Sequence, residues 1–216
     1  MKYDYIKDFF PITEKSAYTL GFIFGDGYLQ YRYDNYRMLE IMIVSSDGIE
    51  LEKTFDFTNW KSQIKQRENR KEQIRFYINN TELCKHLAKL GFKDKSKIFP
   101  DITKFIPDKY IHIFLQGYID ADGSIFMKKC GSIFHITSGL DFDWTNLLKL
   151  IHTKVNNLTS FKIFKHKNNK GYGLSRIVCQ HSKQNVKFLD YIYQDGNKYG
   201  LSRKYNEYLK LKEKYD

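Results

Sequence analysis

The order of hydrophobic and polar positions predicts a set of secondary-structure elements that occurs twice along the chain. In the first half, an apolar segment that Thr13 or Ser16 can cap predicts a helix ending near Asp26. Alternating and amphipathic segments then predict two strands, a helix capped by its first residue, two strands and a helix, at Tyr28–Tyr33, Met38–Val44, Asp47–Phe55, Lys61–Gln66, Gln73–Ile78 and Thr81–Leu90. Gly91 directly follows and is a suitable left-handed stop for the last helix.

The second half repeats this order and adds one helix. The predicted elements are a helix, two strands, a helix, two strands and two helices, at Lys109–Asp122, Ser124–Lys129, Ile133–Ser138, Phe142–Val155, Phe161–Lys165, Tyr172–Gln180, Lys183–Tyr193 and Arg203–Tyr215. Pro100 and Pro107 bracket a connection near the middle of the chain, where proline disfavours a continuous helix. We therefore expect an α+β fold of two αββαββα units, residues 1–99 and 108–216, joined by a linker at 100–107.

An internal sequence repeat supports the two-unit organisation. The segment Leu20–Gly27 (LGFIFGDG) recurs 96 positions later as Gln116–Gly123 (QGYIDADG). Further along, Arg75–Ile78 (RFYI) is similar to Arg176–Cys179 (RIVC). A repeat of about 100 residues that keeps its order over nearly the whole chain predicts two copies of one structural unit.

Composition and charge narrow the class of protein. The formal net charge of +11 and the isoelectric point near 9.3 favour a polyanionic partner such as nucleic acid, although solubility alone could explain them. No apolar run approaches the roughly 18 residues of a membrane span, and the N-terminus lacks the apolar stretch of a secretory signal. The three cysteines lie far apart, which argues against a disulfide framework or a zinc site. We expect a protein that stays inside the cell and is not secreted.

The two repeated segments predict helices that pack closely together. Gly21 and Gly25 are four residues apart, as are Gly117 and Ala121, so each helix carries one stripe of small residues. Such stripes allow two helix backbones to approach closely. The residue that follows each stripe is an aspartate, and we expect the two to end side by side as the catalytic pair, Asp26 and Asp122.

Two neighbouring carboxylates repel each other unless a cation lies between them. A divalent metal ion held by both would resolve the repulsion, and Mg²⁺ suits oxygen ligands. Bound at a phosphodiester, such an ion stabilises the transition state and activates water. A single aspartate before a glycine turn is most simply the ordinary end of a helix. The occurrence of both copies behind small-residue stripes favours the functional interpretation.

The segment Gly117–Gly123 (GYIDADG) resembles the LAGLIDADG motif of homing endonucleases almost letter for letter, and Gly21–Gly27 is a looser copy. This resemblance implies two αββαββα units that pack through their motif helices, each with a concave antiparallel sheet that forms a saddle over DNA. It also implies that Asp26 and Asp122 are the catalytic ligands of Mg²⁺ or Mn²⁺, with Gly25 and Ala121 beside them as further metal-site positions. Phe24 departs from the motif where Asp120 retains its earlier acid, and we expect Asp120 to be structural.

The resemblance further implies a lysine near each scissile phosphate, supplied by the segment after each unit's last helix. The candidates are Lys95 and Lys97 in the first unit and Lys198, Arg203 and Lys204 in the second, with Lys97 and Lys204 preferred. On the sheets, alternation predicts a set of residues that face the major groove of DNA. They are Tyr28, Gln30, Arg32, Lys61, Gln63, Lys65, Arg67, Arg75, Lys128, Lys162, Lys165, Lys167 and Arg176.

Together these features predict a monomeric, site-specific endonuclease that cuts both strands of a long, partly asymmetric DNA target. The resemblance implies that the cut leaves 3′ overhangs. The alternative is a nucleic-acid-binding protein on the same scaffold, either a transcriptional regulator or a maturase that binds intron RNA. An endonuclease domain derived from an intein is a third interpretation. It is less favoured because no splicing segment is recognisable and the chain begins with its own methionine. The target sequence, the host and the genetic origin do not follow from the residues.

Overall fold

The computed structural model of the chain describes residues 3–66, 71–167 and 173–216. The described part of the first half contains four α-helices and four strands. They are α1 (Tyr5–Phe9), α2 (Glu14–Asp26), β1 (Gly27–Arg32), β2 (Asn35–Val44), α3 (Ser45–Glu52), β3 (Lys61–Lys65), β4 (Gln73–Ile78) and α4 (Thr81–Lys89). The described part of the second half contains α5 (Ile111–Asp122), β5 (Gly123–Lys128), β6 (Gly131–Gly139), α6 (Thr145–Lys154), β7 (Phe161–Lys167), β8 (Gly173–Cys179), α7 (Ser182–Ile192) and α8 (Ser202–Tyr215).

The strands form two separate four-stranded antiparallel sheets with the same topology. Their orders are β1-β2-β4-β3 and β5-β6-β8-β7. Leu39, Ile41 and Ile43 on the central strand β2 are buried beneath the helices, whereas the alternate positions, such as Glu40, lie on the opposite face. This arrangement confirms the predicted α+β fold of two pseudo-symmetric units. One face of each sheet is left uncovered by helices.

Helix α2 begins where its sequence predicts. The Thr13 hydroxyl accepts a hydrogen bond from the Ser16 backbone amide at 3.2 Å, and the Thr13 amide donates to the Ser16 hydroxyl at 2.8 Å. This reciprocal pair satisfies two donors at the helix start. Helix α4 ends as predicted too, because Gly91 adopts a left-handed φ of 99°.

Other helix boundaries differ from the prediction. Helix α1 was not expected, and α3 begins at Ser45 rather than with Asp47 as its cap. The Asp47 carboxylate lies inside α3 and accepts hydrogen bonds from Arg203, so its polar partner is distant in sequence. Helix α6 begins at Thr145 rather than at Phe142, because the Asp143 backbone pairs with Lys97 and Phe99 and its carboxylate accepts from the Thr145 amide at 2.9 Å.

Helices α2 and α5 pack with their backbones in direct contact. A β-carbon added at Gly21 would lie 1.9 Å from the Phe114 carbonyl oxygen, and one added at Gly117 would lie 2.0 Å from the Tyr18 carbonyl oxygen. These distances are far below van der Waals contact, so only glycine allows this approach. The small-residue stripes therefore lie at the interface between the two helices.

The Phe24 side chain explains why the first motif lacks the acid that Asp120 supplies in the second. Its ring makes edge contacts with the rings of Phe92, Phe99 and Tyr118, at centroid distances of 5.8, 5.2 and 5.2 Å. Phe24 is thus a core residue that packs the motif helices against the segment entering the predicted linker. The predicted linker is itself packed into the core, since its residues Ile102 and Ile106 are buried. The predicted boundaries at 99 and 108 stay a prediction.

Helix α8 connects the two units on one side of the molecule. The Arg203 guanidinium donates to the Asp47 carboxylate through Nε and Nη2, with an Nη2–Oδ2 distance of 2.7 Å. The Ser202 amide donates to Glu50 of α3 at 2.6 Å. The chain's last helix therefore holds α3 of the first unit against the second unit. Among the residues with described positions, none of the helices is both long and apolar enough to cross a membrane.

Candidate functional site

The carboxyl groups of Asp26 and Asp122 lie at the adjoining C-terminal ends of α2 and α5. A β-carbon added at Gly25 would be 2.3 Å from the Ala121 β-carbon and 3.3 Å from Asp122 Oδ2, so the Asp122 carboxylate lies against the other motif helix. Asp26 is exposed on one side, and desolvation by the surrounding protein atoms raises its pKa above the usual value. Burial, and then the negative charge of Asp26, raise the pKa of Asp122 to about 6. The fold thus holds two carboxylates close together although desolvation and mutual repulsion disfavour their charged forms. A purely structural role would not require this arrangement.

Two lysines lie beside this pair and partly neutralise it. Lys95 donates from Nζ to the carbonyl oxygen of Gly25, and burial lowers its pKa while the charges of Asp122 and Asp26 oppose that shift. Lys204 is only 6% exposed, and burial lowers its pKa to about 8.

The Lys204 ammonium group caps the C-terminal end of α5. Its Nζ donates to the carbonyl oxygens of Ile119 at 2.6 Å, Asp120 at 2.5 Å and Gly123 at 2.8 Å. Carbonyl oxygens at the end of a helix have no partner within the helix and carry partial negative charge. Lys204 therefore satisfies these oxygens and also places a positive charge near both aspartates.

The other basic candidates lie away from the carboxylates. The Lys97 side chain is 77% exposed and lies 3.7 Å from Asp94, so Lys95, rather than the preferred Lys97, reaches the site in the first unit. Lys198 forms a hydrogen bond with Glu14 at 2.6 Å, and Arg203 is paired with Asp47. The spacing after the last helix indicates the segment that supplies a lysine, but the direction of each side chain depends on the turn.

The Asp120 carboxylate links the motif helices to α8. The Tyr18 hydroxyl donates to its Oδ2 at 2.8 Å, and the Leu201 backbone amide donates to the same atom at 2.9 Å. Its Oδ1 is buried and has no hydrogen-bond partner among the described residues, and burial raises its pKa to about 6. These contacts give Asp120 a structural position behind the paired aspartates.

The donor set at Asp26 and Asp122 fits a hard divalent cation such as Mg²⁺ or Mn²⁺. Both side chains offer carboxylate oxygens, and a cation between them would offset the desolvation and the repulsion by Asp26 that raise the pKa of Asp122. The Gly25 carbonyl oxygen, a further candidate ligand, already accepts from Lys95. Over residues 3–66, 71–167 and 173–216, no three His, Cys, Asp or Glu side chains cluster as a metal site, so the candidate site is this two-carboxylate gap.

The uncovered face of the first sheet carries most of the polar residues expected there. In the register, Lys61 pairs with Tyr77, Gln63 with Arg75, and Arg75 with Met42. These positions alternate with the buried core positions, so they share the face that points away from the helices. The same face includes Tyr28, Gln30 and Lys65. Arg32 is exposed at the end of β1, and Arg67 lies outside the described residues.

The second sheet divides its predicted residues between two faces. Lys162 pairs with Val178, and Arg176 pairs with Thr137 and Phe164, on the uncovered face that Lys128 shares. By contrast, the predicted Lys165 and Lys167 pair with the buried Ser175 and with Gly173, which places them on the other face at the edge strand. The sequence of β7 could not reveal this, because lysines occur on both faces of the strand and all its residues after Phe161 are exposed.

Sequence reasoning missed two side chains on these uncovered faces, Glu40 and His135. Glu40 lies between Tyr28 and Tyr77 in the first sheet. Phe126 is exposed in the second sheet and stacks on His135, with ring centroids 5.4 Å apart. Continuing the alternation from the buried positions of β2 and β6 would have found Glu40 and His135. The uncovered faces therefore combine basic, amide, acidic and aromatic groups.

Comparison with known proteins gives a match at the level of structure. No protein-family model matches the chain, and no curated protein sequence matches it. Among solved structures, the homing endonuclease I-WcaI bound to its DNA recognition sequence has a TM-score of 0.59 at 14% identity and covers 96% of this chain and 93% of its own. The meganuclease I-SmaMI bound to uncleavable DNA has a TM-score of 0.55 at 14% identity, with coverages of 94% and 88%. The chain has the LAGLIDADG homing-endonuclease fold.

A third homing-endonuclease structure agrees with this assignment. I-DmoI in complex with DNA and calcium has a TM-score of 0.53 at 18% identity and covers 83% of this chain and 89% of its own. A variant of I-DmoI was solved with nicked target DNA in the presence of manganese. At these identities the similarity shows the fold alone. In this chain that fold includes the two motif helices α2 and α5, which end at Asp26 and Asp122.

Proposed function

We propose that the chain is a member of the LAGLIDADG family and a site-specific DNA endonuclease that cuts both strands of a duplex. The observation that carries this proposal is the pair of neighbouring, partly desolvated carboxylates, Asp26 and Asp122, at the ends of two helices in backbone contact. The fold, the two motif copies and the net charge of +11 support it. A protein that only binds nucleic acid would gain nothing from holding two acids beside each other on its DNA-facing side.

The side chains at the site have distinct roles in this proposal. Asp26 and Asp122 hold divalent metal ions, Mg²⁺ or Mn²⁺, with the backbone at Gly25 and Ala121 beside them. When bound, such ions supply Lewis-acid stabilisation of the phosphate and an activated water. In this proposal the positive charges of Lys95 and Lys204, beside the two aspartates, stabilise the negative charge that develops on the scissile phosphates.

The mode of DNA binding follows from the two uncovered sheet faces. Each sheet lies along a major groove, with Lys61, Lys162 and similar cations against phosphates and the amide and guanidinium groups against base edges. A single chain supplies both units, so it acts as a monomer. Because the two faces differ in sequence, the target is asymmetric. Cleavage between the two half-sites leaves short 3′ overhangs.

The alternative of a maturase or regulator makes a different prediction. Binding of intron RNA or of an operator would need the basic sheet faces but would not depend on the carboxylates or on a divalent metal. Retention of both acids favours cleavage over this alternative. Mg²⁺-dependent cutting of DNA distinguishes the two.

The test is cleavage of a duplex library followed by cleavage of the recovered target. We expect the parent protein to cut the target with Mg²⁺ and not with EDTA. The Asp122→Asn variant should lose cutting by at least about a hundredfold, because a neutral amide would hold the divalent ion that stabilises the transition state only weakly, while its affinity for the target changes little. Asp141→Asn, at an exposed position, serves as the matched control and should cut like the parent.

The proposal fails if Asp122→Asn cuts as fast as the parent. It fails as well if cutting by the parent persists in EDTA.

A further inference from the structure

The uncovered face of the first sheet holds one arginine in a fixed orientation. The Nε atom of Arg75 donates to Glu40 Oε2, and its Nη2 lies 3.2 Å from the sulfur of Met38. The guanidinium carbon lies 4.6 Å from the centroid of the Tyr77 ring. One edge and one flat side of the guanidinium are therefore occupied. The Nη1 amino group and one Nη2 hydrogen are left for another acceptor.

Glu40 is an unexpected residue for a surface that meets phosphates. Its side chain is 18% exposed and that of Arg75 is 21% exposed, so both side chains lie along the sheet surface rather than projecting into solvent. A carboxylate on a DNA-facing surface is repelled by the phosphates unless a cation neutralises it. Glu40 is therefore tolerated there because it pairs with Arg75. In return it restricts the rotation of a side chain that is otherwise flexible.

We propose that Arg75, oriented by Glu40 and Tyr77, reads a guanine in the first half of the DNA target. This inference rests on the proposed function. Guanine presents O6 and N7 as two neighbouring acceptors in the major groove, which match the free end of a guanidinium. Adenine and thymine each offer a single acceptor at these edges and cannot accept both hydrogen bonds. Glu40 is a positioning residue, and Arg75 is the residue that contacts the base.

The second unit offers a built-in comparison. The position equivalent to Arg75 is Arg176, which pairs in the register with Thr137 and Phe164. The position equivalent to Glu40 is His135, which supplies no negative charge. No acid of the described chain lies within salt-bridge distance of Arg176. Arg176 is therefore free to turn between phosphate and base, and we expect it to discriminate less between bases than Arg75.

The experiment compares base preferences rather than overall affinity. The full chain selects binding sites from a random duplex pool in Ca²⁺, the ion present in a structure of I-SmaMI with uncleaved target. The parent should prefer G·C at one position of one half-site by roughly five- to 150-fold over the other pairs. Arg75→Ala and Arg75→Lys should reduce that preference to less than about threefold and leave the other half-site unchanged. Glu40→Gln should reduce it in the same direction, because the charged partner that fixes the guanidinium is lost.

Two control variants separate base reading from general binding. Lys61→Ala, on the same face, should weaken binding to all sequences and leave the G·C preference intact. Arg176→Ala should alter only the other half-site. The unchanged half-site in each profile also demonstrates that the variant is folded.

Three results would overturn the inference, and they are distinguishable. If Arg75→Ala weakens binding to all sequences equally, Arg75 contacts phosphate and not base. If Glu40→Gln keeps the full G·C preference, Glu40 does not position Arg75. If the parent enriches no sequence at all, the proposed function fails together with the inference.

Discussion

At the scale of single residues, the account depends on a carboxylate whose ionisation the fold disfavours. Burial and Asp26 raise the pKa of Asp122 from 3.8 to about 6. A folded state that raises an acid's pKa binds the proton more tightly than the unfolded chain does. The penalty is therefore absent below about pH 4 and is complete above about pH 6 in the metal-free protein.

Asp122→Asn should consequently stabilise the metal-free protein at neutral pH. We expect the free energy of unfolding at pH 7.5 to rise by about 1 to 3 kcal/mol, because the variant carries no charge to desolvate. At pH 4, where Asp122 is mostly protonated, parent and variant should differ little. Denaturant titrations at the two pH values measure this. An equal effect at both, or a loss of stability at pH 7.5, would contradict the assigned electrostatics, and Asp141→Asn should show neither effect.

At the scale of elements, the contact between α2 and α5 positions the site. A β-carbon at Gly21 would lie 1.9 Å from the Phe114 carbonyl oxygen, an atom of a rigid helix backbone that cannot move alone. Gly21→Ala should therefore force the helices apart and destabilise the protein by at least about 2 kcal/mol. It should also weaken cleavage more than DNA binding, since separation of the helices separates the carboxylates.

The matched control for this substitution is Gly139→Ala. A β-carbon there would lie 3.4 Å from the nearest atom, the Ser96 carbonyl oxygen, so the alanine fits. Thermal unfolding and cleavage rates of the two variants provide the comparison. Equal behaviour of Gly21→Ala and Gly139→Ala would show that close packing of the motif helices is unnecessary.

The elements that could be predicted from sequence are those with a local cause. The small residues spaced four apart predicted the close contact between α2 and α5. Alternation in β3 predicted that Lys61, Gln63 and Lys65 lie on one face. Helix caps at Thr13 and Gly91 also depend only on neighbouring residues.

Features that depend on distant partners could not be predicted in this way. Asp47 was expected to cap a helix, but its partner Arg203 follows more than 150 residues later. Lys95 reaches the site instead of Lys97 because of the path of the turn after α4, which no periodicity specifies. The face of Lys165 is set by its pairing with Ser175 across the sheet.

At the scale of the whole molecule, one chain combines two similar halves that are not equal. Lys204, supplied by α8, caps α5, whereas Lys95 bonds to the Gly25 carbonyl in the other half. The two sheet faces differ at paired positions such as Glu40 and His135. Where the motif helices α2 and α5 meet, the two halves bring Asp26 and Asp122 together, so both strands of the DNA would be cut from one shared centre.

The most direct test of this central claim is a crystal structure of the protein with its DNA target and Mn²⁺, in which anomalous scattering locates the metal. The account predicts manganese in direct coordination, about 2 Å from carboxylate oxygens of both Asp26 and Asp122, and in contact with the DNA backbone. Manganese bound elsewhere, with the two carboxylates making no metal contact, would contradict it.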